Sequence, residues 1–169
     1  MRDVLSRGTA PSLAVPLGLV EDAFRRLEKR LEGMTEEEYH FTGPDDANST
    51  AMLLRHLILV DLTYLHIMMG DLGKLQEIQA KYGPFQDESG RIPGVAGASG
   101  SALLEEYRGV IEMVRQYVSG LTDEAAAREV KVPWWPEPAT VRYMLWHMAS
   151  HSSHHQGQIA RLRAAYKQR

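Results

Sequence analysis

The chain has 169 residues, 44% of them hydrophobic and 24% charged, a length and balance that fit one domain burying about two thirds of its unfolded surface. Nineteen Lys and Arg against 22 Asp and Glu leave a formal charge of -3, which excludes the broad basic footprint of an electrostatic nucleic-acid binder. Cysteine is absent, and with it go disulfides, cysteine-based zinc sites, iron–sulfur clusters and cysteine nucleophiles.

The first ten residues lack a basic stretch followed by an apolar core, and no apolar run reaches the roughly 18 residues of a membrane span. The expectation is a soluble, cytoplasmic protein, a single domain over 1–169, with neither membrane nor nucleic acid as partner. Leu17, Val20, Phe24, Leu27 and Leu31 recur at helical spacing, which predicts an amphipathic helix over 17–33 stopped by Gly33. Thr35 followed by Glu38 resembles a capping box, so a short turn is expected before the breaker-rich segment 40–49, with His40 in loop-like chain. Ser49 or Thr50 offers an N-cap for a second long helix ending near Gly70. Between Gly83 and Gly100 stand seven glycines and prolines, the mark of a long loop that is either a lid over a site or a disordered connector. Leu103, Leu104, Tyr107, Val110, Ile111, Val114 and Tyr117 predict a third helix over about 101–118, ended by Gly120. Another short turn is expected over 122–129, and three prolines in 131–140 forbid a helix there. Thr140 is a good N-cap for a last helix reaching about Lys167. No stretch alternates convincingly as a strand and no segment repeats, so the predicted fold class is all-α, most simply a four-helix bundle.

Four of the seven histidines fall within nine positions of the last helix. At about 100° per residue, with His151 at zero, His155 lies near +40°, His147 near -40° and His154 near -60°. Met144, Met148, Ile159 and Leu162 fall on the core-facing side, which turns His151 and His155 inward and leaves His147 and His154 towards the edge. Two histidines at i, i+4 are close enough to chelate one ion, and His147 with His151 is a rival pair. A third ligand is best sought at His56, which shares its helical face with Leu53, Val60, Thr63 and Ile67, whereas His66 points elsewhere. A lone buried histidine also fits a hydrogen-bonded core residue. Three neutral imidazoles would keep the full charge of a divalent ion, lower a bound water to a pKa of about 7 and leave a position open. Met68, Met69, Met144 and Met148 read as core filling, Glu36, Glu37 and Glu38 as a solvated helix start. Trp134 and Trp135 read as either a pocket mouth or a loop packed on the bundle.

The segment TVRYMLWHMASHSSHHQGQIARLR resembles the C-terminal helix signature of the DinB/YfiT-like metal-dependent family, and STAMLLRHLILVD resembles its second-helix segment. The resemblance covers most of residues 17–167. It implies a four-helix bundle holding one divalent ion, commonly nickel or zinc, with His56, His151 and His155 at the ligand positions. No further catalytic residue is carried over. Relatives include transferases and isomerases that use a low-molecular-weight thiol such as bacillithiol or mycothiol. The implied activity is therefore a thiol-dependent S-transferase, isomerase or hydrolase, in which the metal holds a small thiol as thiolate against an electrophilic substrate.

A reading of a different class is a dimeric stress-response binding protein whose metal is structural or sensory. Leu54, Ile58, Leu62 and Leu65 lie away from the His56 face, leaving the second helix apolar nearly all round. Such a helix must be covered, either by a homodimer partner or by another helix of the same chain.

Overall fold

The computed structural model describes residues 3–43, 47–95 and 97–169, so parts of the segment 40–49 and of the loop 83–100 lie outside it. The described residues are mostly helical, in the order α1 (Pro11–Leu31), α2 (Glu36–His40), α3 (Thr50–Met69), α4 (Lys74–Tyr82), α5 (Gly100–Ser119), α6 (Asp123–Ala127) and α7 (Val141–Tyr166), with strands β1 (Glu129–Val130) and β2 (Ala139–Thr140) before α7. The all-α expectation therefore holds.

Local chemistry sets most of the boundaries. The Thr35, Ser49, Thr122 and Thr140 side chains each accept a hydrogen bond from the backbone three residues on, capping α2, α3, α6 and α7. Gly70, at φ 79°, ends α3 in the left-handed conformation that glycine adopts without strain.

Four differences from the sequence expectation have physical causes. Helix α1 begins at Pro11, not Leu17: Pro11 occupies the first turn, where its missing N–H costs nothing. The interior Pro16 forfeits one backbone hydrogen bond but sits between Leu13 and Leu17, both fully buried. Helix α4 follows α3 after a short break, where no long apolar periodicity announced it. His40 closes α2 rather than lying in a loop. Finally, Glu129 pairs with Thr140 and Val130 with Ala139 in an antiparallel ladder too short to show alternation in sequence. This ladder ties off the proline-rich loop 131–138.

Helix α1 packs on α5 and α7, and α3 packs on the same two helices from the other side, closing a ring around the core. Against the expectation that no stretch is long and apolar enough for a membrane span, helix α3 is, because its few charged residues leave the mean hydropathy high, but 83% of its most apolar window is buried inside this chain. Leu54, Ile58, Leu62 and Leu65 are all among the buried residues. The chain itself covers the face that sequence offered to a second copy.

Polar groups lock the helices in register. The Gln156 side chain on α7 donates to the Ala23 carbonyl of α1 at 2.9 Å. The Tyr107 hydroxyl on α5 donates to Asp61 on α3 at 2.7 Å. The Glu36 carboxylate accepts from the Gly100 backbone N–H at 2.8 Å, capping α5, and Glu38 is buried in an ion pair with Arg163 at 3.1 Å. Glu38 is thus a buried structural residue rather than part of a solvated helix start, whereas Glu36 stays exposed in the first turn of α2 while it caps α5. Met68, Met144 and Met148 are core residues as expected, while Met69 is 47% exposed.

Candidate metal centre

Helix α3 presents His56, and α7 presents His151 and His155 one turn apart, so the α3–α7 packing brings the three imidazoles together. The Nε2 atom of His151 lies 3.2 Å from that of His56 and 3.0 Å from that of His155. All three ligand atoms lie within 4.8 Å of one another. An ion at about 2.0–2.1 Å from each nitrogen, with angles between octahedral and tetrahedral, spaces them about 2.9–3.4 Å apart, and the two spacings to His151 fall in that range. The hydrogen-bond chemistry fits as well. His155 Nδ1 donates to Gln158 Oε1 at 2.7 Å, which leaves the His155 Nε2 lone pair free to coordinate. One proton on His151 Nε2 cannot lie well along both short contacts, whereas a cation would satisfy all three lone pairs.

Electrostatics keep these side chains in the ligand form. Burial lowers His56 to about 4, with repulsion from His155 in the same direction; the Phe85 carbonyl opposes this without a well-formed hydrogen bond at Nδ1. Burial also lowers His151 to about 2, helped by the neighbouring imidazoles. His155 is lowered by burial, partly offset by Gln158. All three are neutral at physiological pH and able to bind a metal.

The remaining histidines are placed elsewhere. The ring of His147 lies parallel to His151 at 8° and 6.1 Å, outside the convergent group, so the rival chelate does not form. His154 is exposed, His66 sits 3.4 Å from Asp71, and His40 Nε2 meets the Ala98 carbonyl at 2.9 Å.

The cluster opens on one side into a cavity of about 240 Å³, whose lining includes Val60, Thr63, Tyr64, Phe85, Trp134 and His147. Tyr64 follows His56 by about two helical turns, a signal sequence could have offered. Burial raises its phenol to about 12, against the Trp134 indole, so it stays protonated. Phe85 had no such signal, because it reaches His56, at 6.5 Å between rings, from the glycine-rich loop. That loop is organised around the Asp87 carboxylate, which accepts from the Ser89 and Arg91 backbones at 2.8 and 2.9 Å, and by burial of Ile92. Trp134 and Trp135 each line one of the cavities, and Trp135 also packs against the core, so both expected roles are present.

A family model described as mycothiol-S-transferase matches residues 15–168. The uncharacterized protein YkkA of Bacillus subtilis (strain 168) is 31% identical over 171 aligned positions, covering 99% of this chain and 96% of the relative.

Proposed function

The chain belongs to the mycothiol-S-transferase family, and on that premise we propose that it is a metal-dependent thiol S-transferase centred on His56, His151 and His155. The observation that carries this reading is the convergence of three neutral imidazole nitrogens beside a cavity. A structural ion is normally enclosed by four protein ligands, whereas a working one keeps a position open. Zinc and nickel both suit three imidazoles. A divalent ion bound there would supply positive charge that favours the thiolate form of a small thiol at neutral pH.

The residues of the chain provide the rest. His56, His151 and His155 would hold the ion, and Gln158 fixes the His155 ring. Val60, Phe85 and Trp134 line the cavity beside the three histidines with apolar surface that would displace water from a bound nucleophile. Transfer then needs no protein cysteine: the thiol gives up its proton to solvent, its sulfur pair forms a bond to the electrophilic carbon, and the leaving group departs with its bonding electrons.

The test is elemental analysis of untagged protein beside His151→Ala, followed by cobalt substitution and titration with mycothiol or bacillithiol. About one ion per chain, lost in the variant, and a sulfur-to-cobalt absorption band on adding thiol are the expected results. Protein that neither retains nor takes up metal overturns the centre. Bound metal that never responds to thiol overturns the transferase reading in favour of a structural or sensory ion.

A further inference from the structure

Beside the histidine cluster, Tyr64, Phe85, Trp134, Trp135, Tyr143 and Trp146 form one connected set of rings. His147 links its two halves, with its ring 5.2 Å from Trp135 and 6.1 Å from His151. Tyr143 extends it outward, 5.6 Å from Trp135 and 5.2 Å from Trp146. All three tryptophans of the chain therefore belong to this surface, since Trp134 borders the inner cavity. Trp134, Tyr143 and Trp146 are each 47–48% exposed, a cost in water that a bound apolar molecule would relieve. A second cavity of about 600 Å³ lies between Trp135, Tyr143, His147 and the proline loop, within the size range of small-molecule sites. Glu137 is the one acidic or basic side chain other than histidine among the described residues lining the two cavities. Aromatic walls select flat partners by stacking and edge contacts, and a lone carboxylate with no Lys or Arg disfavours anions.

We propose that this cleft binds flat, uncharged aromatic molecules, and that such a molecule is the electrophilic acceptor for the thiol. The inference deepens the transferase reading and rests on it for the acceptor role; binding itself requires neither ion nor thiol. In the joining step the acceptor carbon gains the sulfur and loses its leaving group with the bonding pair, while the thiol proton passes to solvent.

The probe is N-phenyl-1-naphthylamine, which is uncharged, compared with 8-anilino-1-naphthalenesulfonate, which adds a sulfonate to the same ring system. Energy transfer from the three tryptophans reports binding in metal-free and metal-loaded protein. Saturable binding of the uncharged probe is expected in both forms, weakened about three- to tenfold in Tyr143→Ala and in Trp134→Ala, with the sulfonate at least about tenfold weaker. Both substitutions fall at half-exposed positions, and circular dichroism checks that the fold persists. With 1-chloro-2,4-dinitrobenzene as acceptor, the uncharged probe should inhibit competitively, and Tyr143→Ala should raise KM more than it lowers kcat.

Failure of the probe to saturate, equal affinity in both variants, or equal affinity for the sulfonate overturns the binding site. A dimer in sedimentation that hides the tryptophans from the probe assigns the surface to a second copy and also overturns it. Probe binding by a protein that takes up no metal overturns only the acceptor role. Metal and thiol binding without probe binding leaves the transferase reading standing and sinks this one.

Discussion

At the residue scale, Gln158 and Asp61 carry separable consequences. Gln158, half-buried on α7, accepts from His155 Nδ1, so Gln158→Leu should leave the fold intact while weakening metal affinity about tenfold or more by freeing the ring and its tautomer. Competition with a chelator of known affinity measures this. Asp61 is buried, and that burial lifts its carboxyl to about 7 despite the Tyr107 hydrogen bond. Because the folded-state value lies above the unfolded one, the unfolded chain ionises first: this group's contribution to stability is full below about pH 4 and is lost as pH rises towards 7. Asp61→Asn, neutral throughout, should therefore gain stability relative to wild type by up to about 4 kcal/mol across that window. Urea midpoints at several pH values test it, and a difference that does not change with pH would contradict a protonated Asp61.

At the element scale, α7 carries two of the three clustered histidines and depends on its first turn. Thr140 accepts from the Tyr143 backbone at 3.2 Å, so Thr140→Ala should cost about 1 kcal/mol, or about 2–4 °C in Tm for a chain of this size. An unchanged melt would mean that the β1–β2 ladder alone fixes the helix start. Caps of this kind were legible in sequence because they are local: a hydroxyl and an N–H three residues away. Helix α4 and the β1–β2 pair were not, since both are short and one depends on residues nine and eleven apart. The start of α1 was missed for a related reason. Pro16 reads as a breaker until the burial of its neighbours is known.

For the whole molecule, close approaches between distant segments matter most. Gly18 on α1 lies directly under the Val4 carbonyl, and a methyl group there would overlap backbone that cannot rotate aside. The segment before α1 is also pinned by the Ser6 N–H to the Ala14 carbonyl at 2.9 Å. Gly18→Ala should peel this segment off, so limited proteolysis should cut before Pro11 faster while the main melt shifts little. Gly100 faces the buried ring of Tyr39 in the same way. That ring is packed on all sides, and Gly100→Ala should cost about 1–3 kcal/mol by overpacking, seen as a lower urea midpoint.

Sequence by itself determined the all-α class, the long helices with most of their caps, and the shared inward face of His151 and His155, because helical periodicity and i, i+4 spacing are properties of one segment at a time. It also singled out His56, whose facing can be counted along α3. It left His147 with His151 as an open rival and Trp134 and Trp135 between two roles. Tertiary structure decided these, since only the packing of α3 against α7 makes three nitrogens converge and turns His147 parallel and aside. The same packing brought in Phe85 from a glycine-rich loop and Tyr143 from the turn after a proline-rich one. A pocket wall is a relation between segments far apart in the chain, and no single-segment pattern encodes it.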